Sequence, residues 1–171
     1  MRNLILGFIL SIAMFSANIF SADYFNQDEW IIPTGMNAGI VLNSNFADDF
    51  SNLSDPTFGM GLNLSYRMSV SLGFYMDLST KFSGSDSYPL NADLGATFYI
   101  VPETKIQPLV SAGVTLRNLF DDSQSKGLFL GVGGEYVIDR KMTVPFKLQY
   151  NKNLDVDYSD ITFKLGFNYY F

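Results

Sequence analysis

The sequence contains no cysteine and no histidine, and it has no long apolar run after residue 22. The absence of cysteine excludes disulfides, thiolate metal sites and a lipid anchor on an N-terminal cysteine. The absence of histidine removes the commonest general base and metal ligand, and with it any Ser–His nucleophile pair. A membrane helix needs about 20 consecutive apolar residues, which the chain beyond residue 22 does not supply. Positive charge is also scarce, with 11 Lys and Arg against 17 Asp and Glu, and this argues against nucleic-acid binding.

Aromatic residues and glycine are abundant by contrast, since the 171 residues include 16 Phe, 10 Tyr and 14 Gly. This composition suits strands and turns better than helices. The length suits a single domain.

The first 22 residues have the features of a secretory signal peptide. Arg2 provides the positive start, residues 4–15 the apolar centre, and Ser21-Ala22 the small-residue cleavage site, with Ala17 as an alternative exit. A membrane helix that stays attached is the other interpretation of this segment. We expect a cleaved signal peptide over 1–22 and one domain over 23–171.

Apolar residues recur at every second position through most of that domain. They occupy even positions in seven successive segments and odd positions in an eighth, and the segments lie near residues 36–42, 58–66, 70–78, 92–100, 110–116, 128–138, 144–150 and 161–171. The positions between them are mostly small or polar. A period of two indicates a strand whose two faces meet different surroundings, and segments of about 8–11 residues can cross a membrane as tilted strands. The sequence therefore predicts an all-β protein, an eight-stranded antiparallel up-and-down barrel.

The glycine-rich polar face decides between two kinds of barrel. In a soluble barrel these glycines would lie on the solvent side, where they weaken strands. In a transmembrane barrel the apolar face contacts lipid, and small polar side chains fit a narrow lumen. Long polar connections also alternate with short turns, as expected when the two barrel ends face different compartments. We predict a transmembrane β-barrel, with a soluble secreted ligand-binding barrel of reversed faces as an alternative.

The last segment ends on the alternating aromatic residues Phe167, Tyr169 and Phe171. It resembles the terminal strand of bacterial outer-membrane proteins, and the whole domain resembles the eight-stranded barrels of the OmpA/OmpX type. This resemblance implies a monomer in the bacterial outer membrane, surrounded by lipid and lipopolysaccharide, with its long loops at the cell surface. It also implies that the three aromatic residues form the signal read by the barrel-assembly machinery.

Two carboxylates on the polar face are the best candidates for catalysis. Asp77 and Asp93 become direct neighbours in the lumen if Leu78 pairs with Ala92 across the intervening loop. Adjacent carboxylates repel each other, and one can keep its proton. An acid–base pair is therefore conceivable, although a structural role fits better once the opposite wall is considered.

Two lysines are expected on that opposite wall. Lys147 and Lys164 become neighbours if Tyr150 pairs with Ile161, and in a barrel of eight strands they then face the two aspartates. The lumen of such a barrel is only wide enough for side chains to fill it. We therefore predict an internal ionic plug, with Glu135 near Lys147 as a third acid, and no enzymatic activity.

The outer connections carry nine acids and three lysines. The run Asn153-x-Asp155-x-Asp157 partly matches a calcium-binding loop, but the Gly and the late Glu of that motif are missing. No metal or cofactor is predicted, and loose bridging of divalent cations to lipopolysaccharide phosphates is the simpler interpretation. The expected function is a structural or surface-interaction role, and the alternative is a narrow pore or a barrel for small-molecule uptake.

Overall fold

The computed structural model describes residues 32, 34–47, 57–82, 89–120 and 124–171. These residues form eight antiparallel strands: β1 Gly35–Ala47, β2 Thr57–Arg67, β3 Leu72–Phe82, β4 Leu90–Tyr99, β5 Ile106–Arg117, β6 Ser125–Val137, β7 Met142–Asn153 and β8 Ser159–Tyr170. Each strand pairs with the next, and β8 pairs with β1, so the sheet closes into a barrel. The predicted fold class is confirmed. The expected signal peptide, residues 1–22, lies outside the described residues.

The connections separate the two ends of the barrel. One end has the turns 68–71, 100–105 and 138–141, and the other has the connections 48–56, 83–89, 118–124 and 154–158. We call these the short-turn end and the long-loop end. The connection 154–158 is shorter than predicted, because β7 and β8 continue further toward the long-loop end. Within the described part of the chain, no helix is long and apolar enough to span a membrane.

The apolar positions face outward, on the parity that the alternation predicts. Large side chains on this face are well exposed, with Leu130 at 66 % and Leu62 at 62 %. Inward positions are polar and buried, with Gln107 and Gln149 at 0 %. A continuous apolar surface of this kind suits lipid and is unfavourable in water. The alternative of a soluble barrel with reversed faces is therefore wrong.

Aromatic rings also enter the lumen, which the sequence analysis largely overlooked. Phe129 points inward and is 2 % exposed, and its ring centroid lies 6.1 Å from that of Tyr75. Gly95 and Gly113 face each other across β4 and β5 beside this ring. A Cβ added at Gly95 would lie 2.6 Å from Phe129 Cζ. These two glycines therefore provide the space for the ring of Phe129, which lies on the neighbouring strand β6, directly opposite Gly113.

The short-turn end contains a small apolar cluster. Ile32, which precedes β1, packs with Val137 and Tyr170, and each of the three is at most 2 % exposed. This cluster buries apolar surface at that end of the barrel.

Candidate functional site

The strand register brings the predicted charged residues together in pairs. Asp77 on β3 lies directly opposite Asp93 on β4. Lys147 on β7 lies directly opposite Lys164 on β8. All four project inward, and β3 and β4 lie across the lumen from β7 and β8 in the closed strand order.

Of the two lysines, only Lys164 contacts the carboxylates of the opposite wall. Its Nζ lies 2.7 Å from Asp77 Oδ2 and 2.5 Å from Asp93 Oδ2. Two amides complete the surroundings of the carboxylates: Asn63 Nδ2 donates to Asp77 Oδ1 at 2.5 Å, and Gln149 Nε2 donates to Asp93 Oδ2 at 3.0 Å. Buried carboxylates are stable as anions only when charge and hydrogen bonds compensate for lost hydration, and here one ammonium group serves both.

Lys147 contacts an aromatic surface instead. Its Nζ donates to the hydroxyl of Tyr75 at 2.7 Å and lies 3.9 Å from the centroid of that ring. Phe129 adds a second ring, 5.7 Å from Nζ. Among the described residues no carboxylate lies within 4 Å of this ammonium group. Of the two lysines predicted to face the aspartates, Lys164 therefore contacts them and Lys147 does not.

We call Asp77, Asp93, Lys147 and Lys164 the central group. Glu135 does not join it. The register between β6 and β7 places Glu135 opposite Pro145 and leaves Lys147 opposite Gly133, two residue pairs closer to the long-loop end. The Glu135 carboxylate instead accepts hydrogen bonds from Thr143 Oγ1 at 2.5 Å and from Tyr170 Oη at 3.2 Å.

The partner of Glu135 comes from β2. Arg67 Nη1 lies 3.9 Å from Glu135 Oε2, and both side chains are at most 2 % exposed. Arg67 Nη2 also donates to Gln107 Oε1 at 2.8 Å, and the guanidinium carbon lies 3.9 Å from the centroid of Tyr99. These residues form a second layer, near the short-turn end. A cavity of about 70 Å³ lies between it and the central group.

A third layer lies toward the long-loop end. Arg117 Nη2 is 3.0 Å from Asp160 Oδ2, and Asn151 also donates to Asp160. Thr162 Oγ1 accepts from Asn151 at 3.0 Å and donates to Asn45 Oδ1 at 2.6 Å. The sequence pattern does not predict the pair of Arg117 and Asp160, because the strand register alone does not show how far a long side chain reaches across the lumen.

The polar groups of the lumen suit structural pairing more than acid–base chemistry. Asp77 and Asp93 share Lys164, and both carboxylates are buried. The described ranges contain no group of three or more carboxylates placed to hold a metal ion. In the connection 154–158, the run that partly matches a calcium loop makes local bonds. Asn153 Oδ1 accepts the N–H of Asp155, and Asp157 pairs with Lys152 at 2.6 Å.

The residues of the expected assembly signal lie on the lipid-facing side of β8 and at the chain end beyond it. Phe167 and Tyr169 are each 40 % exposed, and Phe171 is 80 % exposed. The rings of Tyr169 and Phe171 pack edge to face, with centroids 5.6 Å apart.

Comparison with known proteins agrees with the barrel fold described above. The family model described as the outer membrane protein beta-barrel domain matches residues 8–171. No curated protein sequence matches the chain.

The fold is similar to solved structures of low sequence identity. The N-terminal β-barrel domain of OprF from Pseudomonas aeruginosa is 16 % identical, with 80 % of this chain and 100 % of that chain covered and a TM-score of 0.56. The Neisserial surface protein A is 16 % identical, with coverages of 80 % and 96 % and a TM-score of 0.59. OprG from Pseudomonas aeruginosa is 14 % identical, with coverages of 84 % and 99 % and a TM-score of 0.54. At these identities the likeness concerns the fold alone.

Proposed function

Because the chain belongs to the outer membrane protein beta-barrel domain family, we propose that it is a closed, non-enzymatic barrel of the bacterial outer membrane. Its long loops face the cell surface, where they have a structural or interaction role. Its lumen is closed by the charged layers and does not conduct ions steadily.

The bridge from Lys164 to Asp77 and Asp93 supports the closed lumen most directly. It crosses the barrel with contacts of 2.7 and 2.5 Å, and the three side chains are at most 12 % exposed. An eight-stranded barrel has an interior just wide enough for side chains. A cross-lumen bridge of this kind therefore occupies the space that a column of water would need.

Two further layers lie above and below that bridge. Arg117 pairs with Asp160 on the long-loop side, and Arg67 with Glu135 on the short-turn side. An ion would have to pass all three layers, and each passage would break charge-assisted contacts in a low-dielectric interior. This arrangement favours a plug over a pore.

The surface role is supported by the loop that the structure describes. Leu154 and Val156 in the connection 154–158 are 57 % and 56 % exposed, next to the acids Asp155 and Asp157. An apolar tip with acidic neighbours can contact a protein partner, or bind lipopolysaccharide phosphates through divalent cations. We propose lipid and lipopolysaccharide as the surroundings of the barrel.

The C-terminal strand supports recognition by the barrel-assembly machinery. Phe167, Tyr169 and Phe171 present aromatic surface outward, so they are accessible before the barrel closes. Once β8 has paired with β1, none of the eight described strands has a free edge. This closure supports a monomer.

Conductance across a planar lipid bilayer tests the closed lumen against the alternative of a narrow pore. The refolded wild type should show no steady current. Lys164→Ser should leak and prefer cations, because Asp77 and Asp93 remain in the lumen. Lys126→Ser is the matched control, since Lys126 lies at the long-loop end on the outward face of β6, and it should behave as the wild type. A large and stable wild-type channel would contradict the plug and favour the pore.

A further inference from the structure

A second cavity lies inside the barrel mouth at the long-loop end, above the central bridge. It has a volume of about 180 Å³, enough for on the order of ten water molecules. Lys81, Asn91 and Arg117 contribute to one side of it, and Asn151, Tyr158 and Asp160 to the other. We call this cavity the outer vestibule. These residues lie at or next to the ends of their strands, so the cavity is close to the exterior.

Along the described lumen as a whole, the numbers of inward-pointing positive and negative charges are unequal. In the described strands, five cations and four carboxylates face inward; they are Arg67, Lys81, Arg117, Lys147 and Lys164, and Asp77, Asp93, Glu135 and Asp160. One of these five cations therefore has no inward-facing carboxylate to balance its charge.

Among the described residues, Lys81 is the lumen cation without a hydrogen-bonded or ion-paired partner. Arg67, Arg117 and Lys164 each reach a carboxylate across the lumen, and Lys147 reaches the hydroxyl of Tyr75. Within the described part of the chain, Lys81 Nζ has neither a carboxylate within 4 Å nor a hydrogen-bond acceptor. A half-buried ammonium group without an acceptor is unfavourable unless water or an anion supplies one.

Arg117 has unused donors beside Lys81. Its contacts to Asp160 use Nη2 only, which leaves Nε and Nη1 without partners among the described residues. Arg117 and Lys81 also line the same small cavity directly below the vestibule, together with Asn91 and Asp93. Two cationic groups with free donors therefore share one polar space.

We propose that the outer vestibule binds a small oxyanion of the phosphate type. Lys81 supplies the uncompensated charge, and Arg117 adds planar donors that match the geometry of phosphate oxygens. The amides of Asn91 and Asn151 line the same space. A phosphate group fits a cavity of about 180 Å³ with room left for water.

A metal cation fits this space poorly. Asp160 is the only carboxylate among the described lining residues, and it is 3 % exposed and already bonded to Arg117 and Asn151. Cation sites need several oxygen ligands, with carboxylates among them. The vestibule therefore favours an anion, and this inference does not depend on whether the bridge below it closes the lumen.

Titration of the purified full-length protein with inorganic phosphate, in phosphate-free non-ionic detergent, tests the site by calorimetry. The wild type should bind phosphate saturably. Lys81→Met, which keeps the length of the side chain but removes its charge, should weaken binding about tenfold or more. Lys126→Met is the matched control, because Lys126 lies at the same end but points outward, and it should bind as the wild type.

A charge-keeping variant separates loss of the site from loss of the fold. Lys81→Arg should retain phosphate binding within a few-fold of the wild type, and the heat-dependent electrophoretic shift of folded barrels should report correct folding of every variant. The absence of saturable binding to the folded wild type would overturn the proposal. Equal affinity of the wild type and Lys81→Met would overturn it as well.

Competition identifies the source of the phosphate group. If purified lipopolysaccharide displaces inorganic phosphate from the wild type but not from Lys126→Met, the displacement depends on the outward-facing Lys126. The phosphate site then lies outside the vestibule, which overturns the proposal. If it displaces phosphate equally from the wild type and Lys126→Met, the natural ligand is a lipid-borne phosphate. If it displaces none from either, the ligand is a soluble phosphate. Both of the last two results support the same Lys81-dependent site.

Discussion

Replacing Lys164 with methionine tests whether the central bridge stabilises the barrel. The change keeps the length and bulk of the side chain but removes the ammonium group, which contacts Asp77 and Asp93 at 2.7 and 2.5 Å. The two aspartates are direct neighbours across β3 and β4. The variant therefore leaves two adjacent carboxylates in the lumen with no cation in contact with them.

The expected loss in the free energy of unfolding follows from the burial of this ion pair. Removing one partner of a buried ion pair typically costs about 3–5 kcal/mol, because the remaining charge stays buried. Here Asn63 and Gln149 still donate one hydrogen bond each to the aspartates, which lessens the loss, while repulsion between the carboxylates adds to it. We expect the free energy of unfolding to fall by about 3–5 kcal/mol.

Denaturant unfolding in lipid vesicles, followed by the electrophoretic shift of the folded barrel, measures this difference. Lys152→Met is the control, because the ion pair between Lys152 and Asp157 is exposed at 44 % and 98 %, and exposed pairs contribute little to stability. A triple variant that combines Lys164→Met with Asp77→Asn and Asp93→Asn should recover most of the loss. If Lys164→Met costs no more than Lys152→Met, the lumen is wet at this level and the bridge does not close it.

Three further predictions concern the wall, the chain end and the packing of the lumen. Leu62→Arg should lower the free energy of unfolding by about 2–4 kcal/mol near the bilayer midplane, and spin labels at Leu62 should contact lipid-soluble oxygen whereas labels at Ser65 should not. Deleting Phe171 should sharply reduce the amount of barrel in the outer membrane without reducing export, as measured by fractionation, and unchanged abundance would contradict the proposed assembly signal. Gly95→Val should cost about 1–3 kcal/mol through overpacking, and in a double-mutant cycle this cost should shrink when Phe129 is also changed to Ala, since a Cβ at Gly95 would lie 2.6 Å from that ring.

The direction of each side chain was predictable because strand parity is a local property. Alternation assigns Asp77 and Lys164 to the inside and Leu62 to the outside without any knowledge of the neighbouring strand. The register was predictable only up to shifts of two residues, because such shifts keep both parities across a hairpin. Pairing Leu78 with Ala92 keeps both on the lipid side and thereby places Asp77 against Asp93, as the structure has them.

The contacts across the lumen were not predictable in the same way. They depend on the level of each residue along the barrel axis and on how far its side chain extends. Strand tilt decides which inward residues of opposite walls lie at the same level, and no local pattern encodes that offset. Glu135 therefore meets Arg67 from β2 rather than Lys147 from the adjacent strand. Long side chains add a second uncertainty, since Lys164 reaches both aspartates while Lys147, its direct neighbour, ends at Tyr75.

The different contacts of those two lysines follow from the way side chains fill the lumen. Phe129 and Tyr75 occupy the space on the short-turn side of the aspartates, and Gly95 and Gly113 leave room for the ring of Phe129. An ammonium group next to these rings gains cation–π attraction, so Lys147 has a favourable position without a carboxylate. The two carboxylates are then left to Lys164 alone. The aromatic and glycine positions of the lumen, which carry no charge, thus decide which lysine forms the bridge.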